Sequence, residues 1–180
     1  MTGLTFRRAT AEDRDTLAEL HSRVWQTVMA ELAPPEALAR LDEAHRRKQW
    51  ARVLAEPRQD ECVLLAERDG RAVAMGAAGS PLHPAFEGRG ELRAIDVDGA
   101  CQRQGIGRQL IGRLAQHLIQ CGYDRIGLSV VEGNLPAIAF YEALGGRIVG
   151  HYTDLGPIWK SQDLVMAWDE RDDVLRLAAC

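Results

Sequence analysis

The fold is decided by Glu91-Leu92-Arg93-Ala94-Ile95-Asp96-Val97 and, after a short loop, by Gln102-Arg103-Gln104-Gly105-Ile106-Gly107. The first segment predicts a β-strand. The second opens a helix that we expect to run from Gly105 to Cys121, because apolar residues recur on one of its faces through Leu110, Leu114 and Leu118. A strand therefore ends in a loop with two closely spaced glycines, and that loop begins a long helix.

The loop before this helix is suited to binding an anion. The first amides of a helix have no partner within it and lie at the positive end of its dipole. Gly105 and Gly107 carry no Cβ that would hold a ligand away. Phosphate oxygens fit such a site without a metal ion, and Arg103 and Arg108 add positive charge beside it. The sequence thus predicts a phosphate or pyrophosphate site.

Other interpretations of the same glycines stay open at this point. Glycines at a helix entrance often serve only the turn. A dinucleotide-binding fold, as in other nucleotide-binding α/β domains, would need a third glycine where Leu110 stands, and would place the motif early in the chain. A P-loop is excluded because no Gly-Lys-Ser/Thr follows the glycines.

In the rest of the chain, segments whose apolar residues have helical spacing alternate with segments typical of strands. A hairpin is predicted around Asp69-Gly70, and the element order is β-α-α-β-β-β-α-β-α-β-β. We expect a single α/β domain over residues 1–170, with 171–180 as a C-terminal tail. The other predicted helices cover 10–29, 36–55 and 136–144, and the other strands cover 4–8, 62–67, 71–78, 125–131, 147–152 and 161–168.

Composition narrows the class of protein. The chain has 180 residues, 46% apolar and 27% charged, with a formal net charge of −4. We expect no nucleic-acid partner, since that would need a basic face, and no membrane span, since no apolar run reaches about 20 residues.

The four cysteines and five histidines show no metal-binding spacing, so no metal is predicted. Residues 1–8 lack the apolar core of a signal peptide, and we expect a cytoplasmic protein with free thiols.

Two linked motifs resemble those of the GNAT superfamily of N-acetyltransferases. Gln102–Gly107 matches its Q/R-x-x-G-x-G/A signature, and Asn134–Gly146 resembles its N-x-x-A-x-x-F-Y-E-x-L-G-F stretch. The resemblance implies an α/β fold with a mixed central sheet of about seven strands flanked by four helices. The chain departs from the usual pattern at Arg103, where glycine is common, and at Gly146, where we expect the missing aromatic residue to loosen packing behind the short helix.

The resemblance implies that acetyl-CoA is the cosubstrate and that it lies in a V-shaped opening beside the 91–97 strand. The pantetheine arm would pair with the backbone of Ile95 to Val97, and the Val97 amide would face the thioester carbonyl, where it stabilises an oxyanion. The side chains of Ile95 and Val97 are expected to serve only the core. The other expected cofactor-binding residues are Gln102, Arg103, Gln104, Gly105, Ile106, Gly107, Arg108, Asn134, Ala137, Phe140 and Tyr141.

The resemblance also implies two catalytic side chains. Tyr141 would be the general acid for the departing thiolate, and Glu91 the base that takes a proton from the amine, directly or through water. Asp96 is a weaker candidate for the base, because the face of the strand on which it lies is not fixed by the sequence. The structural alternatives are a packing tyrosine on an amphipathic helix, a solvated carboxylate at a strand entrance and, for Asn134, a helix cap.

The acceptor is an amine that the sequence does not identify. Small amines, amino acids, antibiotics and protein amines all stay open. The helical region of Trp25 to Glu36 and the Ser80–Gly90 loop are expected to shape the acceptor pocket. The alternative from another class is a non-catalytic acyl-CoA-binding regulatory module on the same fold. Homodimers are common among similar proteins, although no segment of this sequence marks an interface.

Overall fold

The computed structural model describes residues 3–180; residues 1 and 2, the first two of the predicted domain, lie outside the described residues. None of the helices in this part of the chain is long and apolar enough to cross a membrane. The elements are β1 (Thr5–Arg8), α1 (Arg14–Val28), α2 (Pro35–Arg40), α3 (Glu43–Ala55), β2 (Cys62–Arg68), β3 (Arg71–Gly79), β4 (Gly90–Val97), α4 (Ile106–Gln120), β5 (Ile126–Val131), α5 (Leu135–Ala143), β6 (Arg147–Asp154), β7 (Ser161–Trp168) and α6 (Arg171–Ala178).

The strands form one mixed seven-stranded sheet in the order β1-β2-β3-β4-β5-β7-β6. Among the strands of residues 3–180, only the central pair, β4 and β5, is parallel, and α4 provides the crossover that a parallel connection requires. The predicted strand order along the chain and the mixed sheet are confirmed.

The helices cover both faces of the sheet. Leu110, Leu114 and Leu118 of α4 are fully buried in the core on one face. On the opposite face Leu17 of α1 and Trp50 of α3 form a second core against β2 and β3. These two layers bury the sheet on both sides, which explains why β2 and β3 are nearly continuous apolar runs rather than alternating ones.

Strands β4 and β5 stay together only at their beginnings. Their paired residues end at Leu92 and Leu128, although both strands continue. Beyond that point β4 keeps its other neighbour, β3, through Val97. One side of β4 is therefore left without a strand partner, and the two strands enclose the predicted V-shaped opening.

A bulge in β4 changes which face its side chains occupy. Ala94, a non-glycine residue with φ of +49°, lies with Ile95 opposite the single residue Gly76 of β3. Ala94 packs with the core under α1 and α3, whereas Ile95 and Val97 pack with the α4 core. The extra residue shifts the alternation, and Asp96 comes to lie on the α1–α3 face.

The predicted second helix over 36–55 is wrong as a single element. It is two helices, α2 and α3, separated at Leu41 and Asp42. The Asp42 carboxylate accepts a hydrogen bond from the His45 amide at 2.8 Å, which caps and starts a new helix. The two pieces also join different apolar clusters, since Ala37 of α2 packs with Met29 and Trp50 of α3 packs with Leu17.

The predicted tail after residue 170 is a packed helix, so that prediction is corrected. In α6, Val174, Leu177 and Ala178 are buried in the α4 core. Helix α4 lies close to the residues that follow α6 because Gly112 has no side chain. A Cβ at Gly112 would lie 2.6 Å from the Cys180 carbonyl oxygen. An eight-residue segment carries too few apolar positions to reveal a helix by period alone.

The expected loosening at Gly146 does not occur. A Cβ at Gly146 would lie 2.8 Å from Cζ2 of Trp168, whose fully buried indole fills this space. The Trp168 Nε1–H donates to the Leu144 carbonyl at 2.9 Å and fixes the indole behind α5. The aromatic group therefore comes from β7 rather than from position 146.

The packing of α6 predicts a clear asymmetry between its two leucines. Leu177→Ala should lower the free energy of unfolding by about 2–5 kcal/mol, because it removes a fully buried side chain. Leu175→Ala is the matched control: Leu175 is 48% exposed in the same helix, and the change should stay within about 0.5 kcal/mol. Urea unfolding measures both, and equal, small effects would show that α6 is not part of the core.

Candidate active site

A cleft of about 1900 Å³ occupies the opening between β4 and β5. The N-terminus of α4 and one side of α5 line one end of it, and α1 and α3 line the other. Of the predicted site residues, every one except Gln104 lines this cleft. The fold thus gathers residues that are up to about fifty positions apart in sequence.

The turn into α4 presents free backbone amides to the cleft. Within the described chain, none of the amides from Arg103 to Arg108 donates to a main-chain carbonyl. Gly105, in the left-handed region at φ +78°, precedes the first residue of α4, and Arg103 is left-handed as well. Consecutive amides in such a turn converge on one point, which is the geometry that anion sites use.

Two glutamine side chains hold this turn rather than face a ligand. Gln102 Nε2 donates to the Val97 carbonyl at 3.3 Å and ties the turn to the end of β4. Gln104 donates to the Ala100 carbonyl at 3.2 Å and accepts from Arg68 Nη1 at 2.7 Å. The Gln104 side chain is therefore directed away from the cleft, and only its amide is available to a ligand.

The end of β4 offers main-chain groups to the cleft. The Asp98 amide donates to the Val73 carbonyl of β3, and hydrogen bonding alternates along an antiparallel strand. The Val97 amide therefore points away from β3, toward the side that β5 has left. Helix α4 lies beside this point, since a Cβ at Gly107 would be in ordinary contact, 3.4 Å from Phe140 and 3.5 Å from the Val97 side chain.

Helix α5 forms the far side of the cofactor end. Asn134 is buried, and its Oδ1 accepts from the Ala137 amide at 3.4 Å, so the capping interpretation of this residue holds. Ala137 and Phe140 are half-buried and line the cleft. This long capping bond leaves the Asn134 amide group with capacity for a further partner.

Tyr141 lies at the floor of the cleft on α5. Its ring is 9% exposed and packs against Phe140, with ring centroids 5.3 Å apart. Burial raises the pKa of the phenol well above its usual value, and the nearby charge of Asp96 raises it further. The phenol therefore carries its proton throughout the neutral range and can act as an acid but not as a base.

Glu91 is a buried carboxylate, not a solvated one. It is 6% exposed, and its Oε2 accepts from the Leu82 amide at 2.7 Å. Arg93 lies 3.9 Å away but pairs with Glu61 at 3.2 Å. Burial raises the pKa of Glu91 above the ordinary value despite these contacts.

Several cleft residues were not identified from the sequence. His21 and Arg46 come from α1 and α3 and lie near Asp96, while Asp163 and Tyr152 come from β7 and β6. No local motif marks them, because only packing against the sheet brings them to the cleft. His83 of the Ser80–Gly90 loop lines the cleft as well, and its ring stacks on Tyr152 at a centroid distance of 4.2 Å. In residues 3–180 no group of His, Cys, Asp and Glu is arranged to hold a metal ion.

Comparison with known proteins identifies the class. The family model described as "Acetyltransferase (GNAT) family" matches residues 22–146, and the chain therefore belongs to the GNAT family of acetyltransferases. The predicted family, its fold and an N-acetyltransferase activity that uses acetyl-CoA are confirmed.

Particular relatives agree with this assignment. The chain is 33% identical over 141 residues to YuaI, an uncharacterized N-acetyltransferase of Bacillus subtilis strain 168, and the match covers 78% of each protein. It is 40% identical over 92 residues to a mycothiol acetyltransferase of Thermomonospora curvata, a match of 51% of this chain but only 30% of that protein. The solved structure of yncA, a putative acetyltransferase from Salmonella typhimurium with its cofactor acetyl-CoA, superposes with a TM-score of 0.67 at 19% identity, covering 93% of this chain and 94% of that one.

The turn geometry predicts that Gly105→Val will weaken CoA binding by more than about tenfold. A β-branched residue does not adopt φ near +78° without strain, so the amides would lose their common direction. Each hydrogen bond to a charged group contributes about 1.5–3 kcal/mol, and about 1.4 kcal/mol is a factor of ten.

Isothermal titration calorimetry with CoA measures this change. Gly99→Val, in the neighbouring loop with open space around it and no positive φ, is the matched control and should bind CoA as the native protein does. Native affinity in Gly105→Val would place the pyrophosphate elsewhere.

Proposed function

We propose that this acetyltransferase transfers the acetyl group directly from acetyl-CoA to a primary amine in the cleft between β4 and β5. The pyrophosphate binds the amides of Arg103 to Arg108, and the pantetheine arm extends β4 as a strand would. The observation that carries the proposal is the Val97 amide, which points into the cleft that the buried Tyr141 also lines.

The cofactor and the acceptor would enter from opposite sides of β4. The bulge at Ala94 places Val97 with the α4 core and Asp96 on the α1–α3 face. The thioester then lies at the end of the strand, while the acceptor reaches it from beneath α1 and α3. We propose that Trp25 and the wall formed by His83 and Tyr152 shape the acceptor side.

We propose that the two predicted catalytic side chains, Glu91 and Tyr141, both act by proton transfer. An ammonium group must lose a proton before it attacks the carbonyl carbon, and we assign this proton to Glu91, directly or through water. The Val97 amide stabilises the negative oxygen of the tetrahedral intermediate. When the C–S bond breaks, Tyr141 donates its proton to the sulfur, and CoA leaves as a thiol.

An acceptor screen tests the proposal. The protein is incubated with acetyl-CoA and a panel containing butylamine, putrescine, glucosamine, glycinamide and a peptide with a free N-terminus and a lysine, and thiol release is followed. We expect at least one amine to accelerate thiol release and to yield the acetylated product by mass spectrometry. CoA binding with no turnover on any amine would favour the regulatory module instead.

Tyr141→Phe should reduce kcat by about 10²–10⁴-fold, because the thiolate loses its proton donor while the ring and its packing stay. The Kd for CoA should be nearly unchanged. Tyr123→Phe is the matched control: it also removes a phenol, one that donates to Asp60 at 2.6 Å outside the cleft. Steady-state kinetics with the best amine of the panel measures both variants, and native turnover in Tyr141→Phe would remove this residue from the mechanism.

A further inference from the structure

Asp96, on the proposed acceptor side of β4, is a nearly buried carboxylate with unused hydrogen-bonding capacity. Its side chain is 14% exposed and lines the cleft. Its Oδ2 is buried and has no hydrogen-bond partner among residues 3–180. A buried carboxylate without hydrogen bonds lowers the stability of the fold, and such a group therefore calls for an explanation such as a catalytic role.

The imidazole of His21 is oriented toward this carboxylate. Trp50 Nε1–H donates to His21 Nδ1 at 3.2 Å, so the ring proton of neutral His21 must be on Nε2. Nε2 lies 3.9 Å from Asp96 Oδ2. Burial lowers the pKa of His21 well below its usual value, and the ring therefore stays neutral and presents an N–H to the carboxylate.

Three charged or titratable groups face Asp96 from the elements packed against it. They are His21 on α1, Arg46 on α3 and Tyr141 on α5. Burial raises the pKa of Asp96 to about 7, although Arg46 opposes the shift. Asp96 therefore exchanges a proton in the neutral range, whereas the Tyr141 phenol does so only at much higher pH.

Amide formation from an ammonium group releases two protons from nitrogen, and the roles above account for one acceptor only. We propose that Asp96, positioned by His21, accepts the second proton, the one on the nitrogen of the tetrahedral intermediate. This inference rests on the proposed acetyl transfer. It names a catalytic carboxylate beside the Val97 amide, and it makes His21 and Trp50 positioning residues.

The proton balance closes without any further reactant. The first proton leaves the ammonium group for Glu91 and then water. After attack, the N–H bond of the intermediate breaks toward Asp96, while Tyr141 gives its proton to sulfur as the C–S bond breaks. The proton on Asp96 then returns to the Tyr141 oxygen, directly or through water, and both side chains regain their starting forms.

Glu91 and Asp96 do not duplicate each other. They lie five residues apart on one strand, which is about 15 Å along an extended backbone. Only Asp96 adjoins the residue whose amide faces the thioester. The two carboxylates can therefore be separated experimentally.

The test is the pH dependence of kcat with saturating acetyl-CoA and the best amine of the panel. For the native protein, kcat should rise with pH through about 7 and then level, because the ionised form of Asp96 is the proton acceptor. Asp96→Asn should lower kcat by about 10²-fold and abolish this rise, with native CoA affinity. Glu91→Gln should retain the rise, and Asp124→Asn, an exposed carboxylate far from the cleft, should behave as the native protein does.

Trp50→Phe is the second variant. It retains the Asp96 carboxylate, so it tests the inference even if Asp96→Asn does not fold. Without the indole N–H the His21 proton is no longer confined to Nε2, so the midpoint of the kcat rise should move to higher pH. A residue with only a structural role would lower the melting temperature and leave that midpoint in place.

The outcomes separate this inference from the proposed function. If no amine reacts with the native protein, both fail. If amines react but Asp96→Asn keeps native kcat or the native rise with pH, only the role of Asp96 is overturned. An unshifted midpoint in Trp50→Phe overturns the positioning by His21.

Discussion

The site depends on the separation of β4 from β5 after Leu92 and Leu128. A strand inside a sheet normally forms main-chain hydrogen bonds with two neighbouring strands, and an unpaired buried main-chain group lowers the stability of the fold. Here β4 keeps β3 on one side, and from Arg93 to Val97 no strand of the described chain pairs with its other side. The fold thus holds open main-chain groups in its centre, and an extended ligand can bind there as an additional strand would.

The bulge at Ala94 gives this open edge two chemically different sides. Because side chains alternate along a strand, one extra residue transfers every later side chain to the other face. Val97 then joins the apolar α4 core, and Asp96 joins the polar cluster under α1 and α3. Without the bulge, the carboxylate would lie against Leu110 and Leu114 of α4. The same irregularity therefore separates an apolar side of β4 from a polar one, the two sides that we propose for the cofactor and the acceptor.

Burial sets the protonation of the cleft more than ion pairing does. The pKa values of Glu91, Asp96 and Tyr141 are all raised, and desolvation is the largest cause in each. The arginines nearby are partly committed elsewhere, as Arg93 is to Glu61. A cleft with two buried carboxylates that titrate above their usual range suits proton transfer from an amine near neutral pH.

The sequence by itself determined the strand–turn–helix with Gly105 and Gly107, the mixed sheet and the place of Tyr141 at the cleft, because these follow from local period, glycine conformation and two linked motifs. It did not reveal α6, the break at Asp42 or the indole of Trp168 behind Gly146, since short helices and distant packing leave little local signal. Only the tertiary structure decided the face of Asp96 and its neighbours His21 and Arg46. A single inserted residue in β4 and the docking of α1 and α3 control that environment, and neither has a local signature in the sequence.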